Sequence, residues 1–165
     1  MSDQKVLFVC TGNICRSPTA EGVARALAAR QGVGHLFTFD SAGTIGMHKG
    51  APPDYRAVQA AARRGYDLTP LRARQIVEKD FFRFDYVLAM DCGHLSVLEK
   101  ICPATASGRL GLFLDYAKAE DLANPVLDEG VPDPYYGGPE GFDYVLTLVE
   151  TTTQRLINHL LENTR

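Results

Sequence analysis

Lys5-Val6-Leu7-Phe8-Val9-Cys10-Thr11-Gly12-Asn13-Ile14-Cys15-Arg16-Ser17-Pro18 holds a strand, a loop and a helix start in immediate succession. The apolar run after Lys5 ends at Cys10 and has no alternation, the pattern of a strand covered on both faces of a sheet. Ser17-Pro18 predicts an N-cap followed by a proline at the first helical position. Ala20, Val23, Ala24, Leu27 and Ala28 then recur at helical spacing, and Gly32 supplies a stop. Further along, Leu36-Phe37-Thr38-Phe39 reads as a second strand running into Asp40-Ser41-Ala42-Gly43. Asp54 is placed to cap a helix with Val58, Ala61 and Ala62 on one side. Phe84–Ala89 reads as a third strand closing at Met90-Asp91, His94–Ile101 as a helix, and Arg109–Leu114 as a fourth strand weakened by Gly111. A loop rich in proline and glycine spans Asn124–Pro139. Phe142, Val145, Leu146, Val149, Leu156, Ile157, Leu160 and Leu161 form the apolar stripe of a final helix. Strands alternating with helices predict right-handed βαβ units and an α/β fold built on an open parallel sheet. Such sheets bind ligands beyond the carboxyl ends of their strands, which directs attention to the loop after Cys10.

The 165 residues suit one domain. With 17 Lys and Arg against 20 Asp and Glu, the net charge of -3 leaves no basic surplus for a nucleic-acid backbone. No apolar run approaches the ~20 residues of a membrane span, and Met1–Lys5 does not read as a signal peptide. Four cysteines without a secretory segment point to free thiols in a reducing cytosol. A cytoplasmic monomer is the expectation. Any anion must therefore be held by a local field.

The loop Cys10–Ser17 can provide one. Thr11, Gly12, Asn13, Ile14 and Cys15, folded back on themselves, would aim backbone N–H groups inward as an anion nest. The helix behind them adds the positive end of its dipole. Gly12 permits close backbone approach, and Asn13 tolerates the left-handed conformation. Arg16 offers a planar fork for two phosphate oxygens. Cys10 would lie at the floor, its thiolate favoured by the same groups and within reach of the Ser17 hydroxyl, ready to attack phosphorus. A Cys-x5-Arg followed by Ser or Thr arises by chance only ~0.03 times in a chain of this composition, so a plain buried cysteine is the weaker reading. No Gly-Lys-Ser/Thr follows, which excludes a nucleotide P-loop. Cys92 and Cys102 complete no paired zinc-ligand spacing with Cys10 and Cys15, and no metal or other cofactor is expected.

Cys10–Pro18 resembles the phosphate loop of the low-molecular-weight protein tyrosine phosphatases. The resemblance extends to Ser41-Ala42-Gly43-Thr44, Ala73-Arg74-Gln75, Phe84-Asp85-Tyr86 through Asp91, and Asp133-Pro134-Tyr135-Tyr136-Gly137. It spans residues 1–165 as one domain, and implies a four-stranded parallel sheet with helices on both faces. It also implies metal-independent hydrolysis of phosphotyrosine in protein substrates through a phosphocysteine. In that reading Cys10 is the nucleophile, Arg16 binds phosphate with residues 11–17, and Asp133 donates a proton to the phenolate leaving group and then activates water. Asn13, Ser17 and Ser41 would brace the loop, with Asp91 a further candidate. Met47, Tyr135 and Tyr136 would wall the pocket, the two tyrosines being possible phosphorylation targets. Cys15 would serve as the resolving thiol for oxidised Cys10. Two positions depart from the pattern. Leu71 stands where the family often has a histidine bonded to the loop asparagine, and Met47 stands where an aromatic is common. The four histidines, His35, His48, His94 and His159, are expected on the surface.

Three other readings remain. Arsenate reductases reuse this loop but need further cysteines, for which only Cys92 and Cys102 are available. Protein arginine phosphatases carry a threonine where Ile14 stands, and Ile14 suits a flat aromatic substrate. A binding module without turnover would not need Cys10, Arg16 and Asp133 together.

Overall fold

The computed structural model describes residues 3–122 and 129–164, so the start of the expected Asn124–Pro139 loop lies outside the described residues. Strand β1, Gln4–Cys10, occupies the interior of a four-stranded parallel sheet. It pairs with β2, Phe37–Gly43, on one side and with β3, Tyr86–Ala89, on the other. β4, Arg109–Leu112, lies beyond β3, giving the order β2-β1-β3-β4. The chain thus steps from β1 to one neighbour and then returns across it to the other. The direction of winding reverses at β1, and the crevice this opens lies off its carboxyl end, at Cys10.

Alternation along β1 divides the interior in two. Val6, Phe8 and Cys10 face a core shared with helices α1 (Arg16–Arg30), α2 (Tyr55–Arg63) and α5 (Pro139–Glu162). Leu7 and Val9 face a second core with Phe81 of α3 (Asp80–Arg83), Phe84, and Leu98 of α4 (Cys92–Ile101). Residues of one strand alternate between faces, so an unbroken apolar run is what a sheet covered on both sides requires. Phe8 stacks on Phe39 and meets Phe113 edge-on, which ties β1, β2 and the turn that follows β4 into the larger core. Gly22 lets α1 approach Leu68 closely, since a Cβ there would stand 2.2 Å from Leu68 Cδ2. Among the described residues no helix is long and apolar enough to cross a membrane.

Several boundaries differ from expectation. Helix α1 begins at Arg16 with Cys15 at its N-cap, so Ser17 is not the cap; its hydroxyl turns inward instead. Gly32 does end the helix, with a φ of 73° and its N–H on Ala29 O. Asp54 caps α2 by accepting from Arg56 N, but the buried face is Ala57, Ala60 and Ala61, and Ala62 is exposed. β3 omits Phe84 and Asp85, and β4 stops at Leu112 because Phe113–Tyr116 coils into a 3-10 turn. α4 starts at Cys92, two residues early, because Asp91 caps it through His94 N. Pro139 is the first residue of α5, where its fixed φ suits a helix start.

Candidate active site

Residues 11–15 connect the end of β1 to α1. Asn13 carries the turn in the left-handed region at φ 57°. The loop's carbonyls are drawn outward: Thr44 N donates to Cys10 O at 2.8 Å, Ile45 N to Thr11 O at 3.1 Å, and Asp54 N to Ile14 O at 2.7 Å. Gly43 permits this close apposition, because a Cβ there would meet Thr11 O at 2.5 Å and Asn13 N at 3.2 Å. Both are backbone atoms that cannot step aside.

Cys10 is buried at the floor, its Sγ 2.9 Å from Ser17 Oγ. A polar chain runs behind this contact. Asn13 Nδ2 donates to Ser17 Oγ at 2.8 Å and to Ser41 Oγ at 3.0 Å. Ser41 Oγ donates to Glu21 Oε2 at 2.6 Å, and Arg25 Nη2 donates to Glu21 Oε1 at 2.7 Å. Both amide protons of Asn13 are committed, so the Ser17 proton is left for Cys10 Sγ or for Ala42 O, the latter at 3.4 Å. The sulfur is nearer. Burial holds the Glu21 carboxyl above its usual range, partly offset by Ser41 and Arg25. Asn13 Oδ1 accepts from Arg74 N at 3.0 Å. That backbone donor provides the brace for which Leu71 has no polar atom; Leu71 packs against the core instead.

Arg16 is buried in the first turn of α1. Its Nη1 donates to Asp91 Oδ2 at 2.8 Å and to Val131 O at 3.0 Å. Its Nη2 stands 3.7 Å from Asp133 Oδ2 and 3.4 Å from His94 Nε2. Asp133 Oδ1 accepts from Tyr135 N at 3.1 Å, which fixes the carboxylate at the start of its turn. The resulting cleft has a volume of about 230 Å³. Cys10, Thr11, Gly12, Ile14, Cys15 and Arg16 line it below, with Ile45, Met47 and His48 on one side and Asp133, Tyr135 and Tyr136 on the other. Tyr135 meets Tyr136 edge-on at 4.9 Å, and the Arg56 guanidinium lies 5.3 Å over the Tyr135 ring while Asp54 holds it. Met47 and Tyr136 stand at the rim, 77% and 91% exposed. Cys15 is buried beside Cys10, and that burial pushes its thiol up to about 12, with Asp54 and Cys10 adding to the effect.

The candidate site residues named from the sequence are gathered here: Cys10, Thr11, Gly12, Ile14, Cys15, Arg16, Met47, Asp133, Tyr135 and Tyr136 line the cleft, and Asn13, Ser17 and Ser41 lie in the network beneath it. Three participants, Glu21, His48 and His94, are new, and Asp91 is the further candidate named from the sequence. Glu21 anchors the Ser41–Asn13 chain, Asp91 clamps Arg16, His48 lines the cleft against Gly12, and His94 bonds to Thr11. The expectation of surface histidines fails at His94, which is 5% exposed because α4 packs its first turn against the loop. Asp91 and His94 do carry a sequence signal, an N-cap aspartate three residues before a histidine at the end of a strand. It does not reveal that both point at Arg16.

The family model for low molecular weight phosphotyrosine protein phosphatases matches residues 5–165. A low molecular weight protein-tyrosine-phosphatase of Streptomyces coelicolor is 45% identical over 93% of this chain and 91% of its own. The crystal structure of a protein tyrosine phosphatase from Entamoeba histolytica is similar at a TM-score of 0.89 and 35% identity, covering 99% of this chain and 100% of the other. A Drosophila arginine phosphatase is also similar, at a TM-score of 0.84 and 31% identity over 95% of this chain and 98% of its own. With the strand, loop and helix that hold Cys10 and Arg16 in place, the chain belongs to the low molecular weight phosphotyrosine protein phosphatases, a family of hydrolases.

Proposed function

We propose that this phosphatase hydrolyses phosphotyrosine in proteins, without a metal, through a phosphocysteine on Cys10. The observation that carries this reading is that Cys10 Sγ, Arg16 and Asp133 line one cleft, with Ser17 Oγ 2.9 Å from the sulfur. In the first step the Cys10 thiolate forms an S–P bond as the P–O bond to the tyrosine oxygen breaks. Asp133 gives its proton to that oxygen, because a phenolate of pKa ~10 leaves poorly near neutral pH. Arg16 and the loop's backbone N–H groups offset the charge on the equatorial oxygens, the role a metal would otherwise fill. As the bond to sulfur forms and later breaks, Ser17 donates to it. In the second step water attacks phosphorus, Asp133 takes the water's proton, and the S–P bond breaks to release inorganic phosphate and the thiolate.

A second reading, phosphoarginine as substrate, is favoured by the likeness to the arginine phosphatase. Against it, Ile14 gives the cleft an apolar side chain suited to a flat ring. The arsenate-reductase reading is weaker still. Cys92 opens the ten-residue helix α4 and Cys102 follows its end, which separates them by ~15 Å along the axis, too far for one disulfide relay. The test is a panel of phosphotyrosine, phosphoserine and phosphoarginine peptides with and without chelator. Turnover confined to phosphotyrosine and indifferent to chelator is expected. Preference for phosphoarginine, or activity restored only by a divalent ion, would contradict it.

A further inference from the structure

The phosphatase reading gives no task to His94, the one buried histidine among the described residues. Its ring lies in the first turn of α4, between the residue that follows Cys10 and the arginine that ends the loop. Nε2 is 2.6 Å from Thr11 Oγ1 and 3.4 Å from Arg16 Nη2. A guanidinium only donates, so the ring edge facing Arg16 must present a lone pair. The proton then sits on Nδ1. That atom lies 3.1 Å from Asp91 Oδ1, off the line of a hydrogen bond, and is buried without a hydrogen-bonded partner. The same Asp91 oxygen accepts from His94 N, and its other oxygen accepts from Arg16 Nη1. Helix α4 therefore reaches the loop through two side chains three residues apart, one touching Arg16 and one touching both Arg16 and Thr11.

We propose that His94 is a positioning residue for the phosphate pocket: as a neutral imidazole protonated at Nδ1, it accepts the Thr11 hydroxyl and faces Arg16, so that α4 sets the relation between the two ends of the loop. The proposal deepens the phosphatase reading and rests on it. The groups around the ring support the neutral state. Burial and the Arg16 charge push the imidazole down to about 4, against the opposing pull of Asp91 and Asp133. An imidazolium would offer Arg16 a second positive charge and Thr11 no acceptor.

The experiment compares wild type, His94→Ala, His94→Gln, Thr11→Val and the His94→Ala/Thr11→Val double variant. The substrate is p-nitrophenyl phosphate, and vanadate is the probe of the empty pocket. His94→Ala is expected to lower kcat and weaken vanadate on the order of tenfold each, a modest cost for misplacing a positioned group. His94→Gln, which can return an acceptor, should recover most of the loss. Adding His94→Ala to Thr11→Val should cost less than adding it to wild type. Values for His94→Ala within about twofold of wild type would overturn the proposal. Should His94→Ala fail to fold, long-range proton–nitrogen NMR of the wild-type ring decides. The Nδ1–H tautomer at neutral pH is expected, and an Nε2–H tautomer or an imidazolium would contradict the proposal. Absence of turnover by wild type would sink the phosphatase reading instead, and the ring's tautomer would still be readable.

Discussion

Asp133 stands at the cleft mouth, half exposed, with one oxygen accepting from Tyr135 N and the other facing Arg16. If it protonates the leaving oxygen, its value depends on how poor that leaving group is. Asp133→Asn should therefore reduce kcat by ~10²-fold or more for phenyl phosphates of high leaving-group pKa, and much less for activated ones. Equal losses across a leaving-group series would remove Asp133 from that role. His94 carries a different consequence, for stability. The unfolded imidazole binds its proton near 6.5 and the folded one near 4, so the unfolded chain binds more protons between those values. The contribution is complete above about pH 6.5, declines as pH falls toward 4, and amounts to about 3 kcal/mol over that window. Glu21, raised by burial, acts in the opposite sense, so the comparison must be with His94→Gln rather than with pH alone. Denaturant melts should show wild type losing more stability than His94→Gln between pH 6.5 and 4; parallel losses would contradict the burial argument. That Cys10 and Arg16 share one loop between a strand and a helix was legible from their spacing and flanks, whereas Asp133 was legible only through the resemblance of Asp133-Pro134-Tyr135-Tyr136 to the family motif. His94 and Glu21 were not, because a single polar residue on a helix has the same local pattern whether it meets solvent or a loop distant in sequence.

The segment from Cys10 to Cys15 is held by donors from Thr44, Ile45, Asp54 and Arg74, all distant in sequence. Its rigidity is thus a property of three connections folded against one another. Cys15 is enclosed by that packing, and its thiol is protonated at neutral pH because burial has pushed it up to about 12. Disulfide formation needs a thiolate attacking oxidised Cys10, so Cys15 should resolve it slowly near neutral pH and faster as pH rises. Peroxide is expected to inactivate the enzyme, phosphate to protect it, and dithiol reductant to restore it. Cys15→Ser should leave turnover largely intact but make recovery poorer. Peptide mapping after mild oxidation checks this, and a Cys10–Cys92 or Cys10–Cys102 link would contradict it. At this scale the four strands and the longer helices were readable from periodicity, with errors at their ends, but the four-residue α3 and the 3-10 turns, too short to show a period, were not. Ser17-Pro18 has the composition of a helix cap, yet the helix begins two residues earlier, at Arg16, and the Ser17 hydroxyl is taken by Cys10 and Asn13. Phe113 has the residue type of a strand, but it turns away to pack on Phe8.

The whole molecule explains why the site lies where it does. β1 is interior to the sheet, winding reverses around it, and helices α1 and α4 flank its carboxyl end from the two faces. Arg16 comes from one of these helices and its Asp91 clamp from the cap of the other, so the cleft is complete only when both layers are docked. The parallel α/β class was legible from alternating strand and helix patterns. The strand order was not, since hydrophobic runs say which segments are covered and not which neighbours cover them. The proposed mechanism turns on one covalent event, phosphate carried on Cys10. Rapid-quench mass spectrometry of the enzyme turning over an aryl phosphate in the presence of chelator observes that event directly. Phosphate should map to the peptide bearing Cys10, on sulfur, and vanish in Cys10→Ser along with turnover. Undiminished turnover by Cys10→Ser, or phosphate trapped on any other residue, would contradict the account.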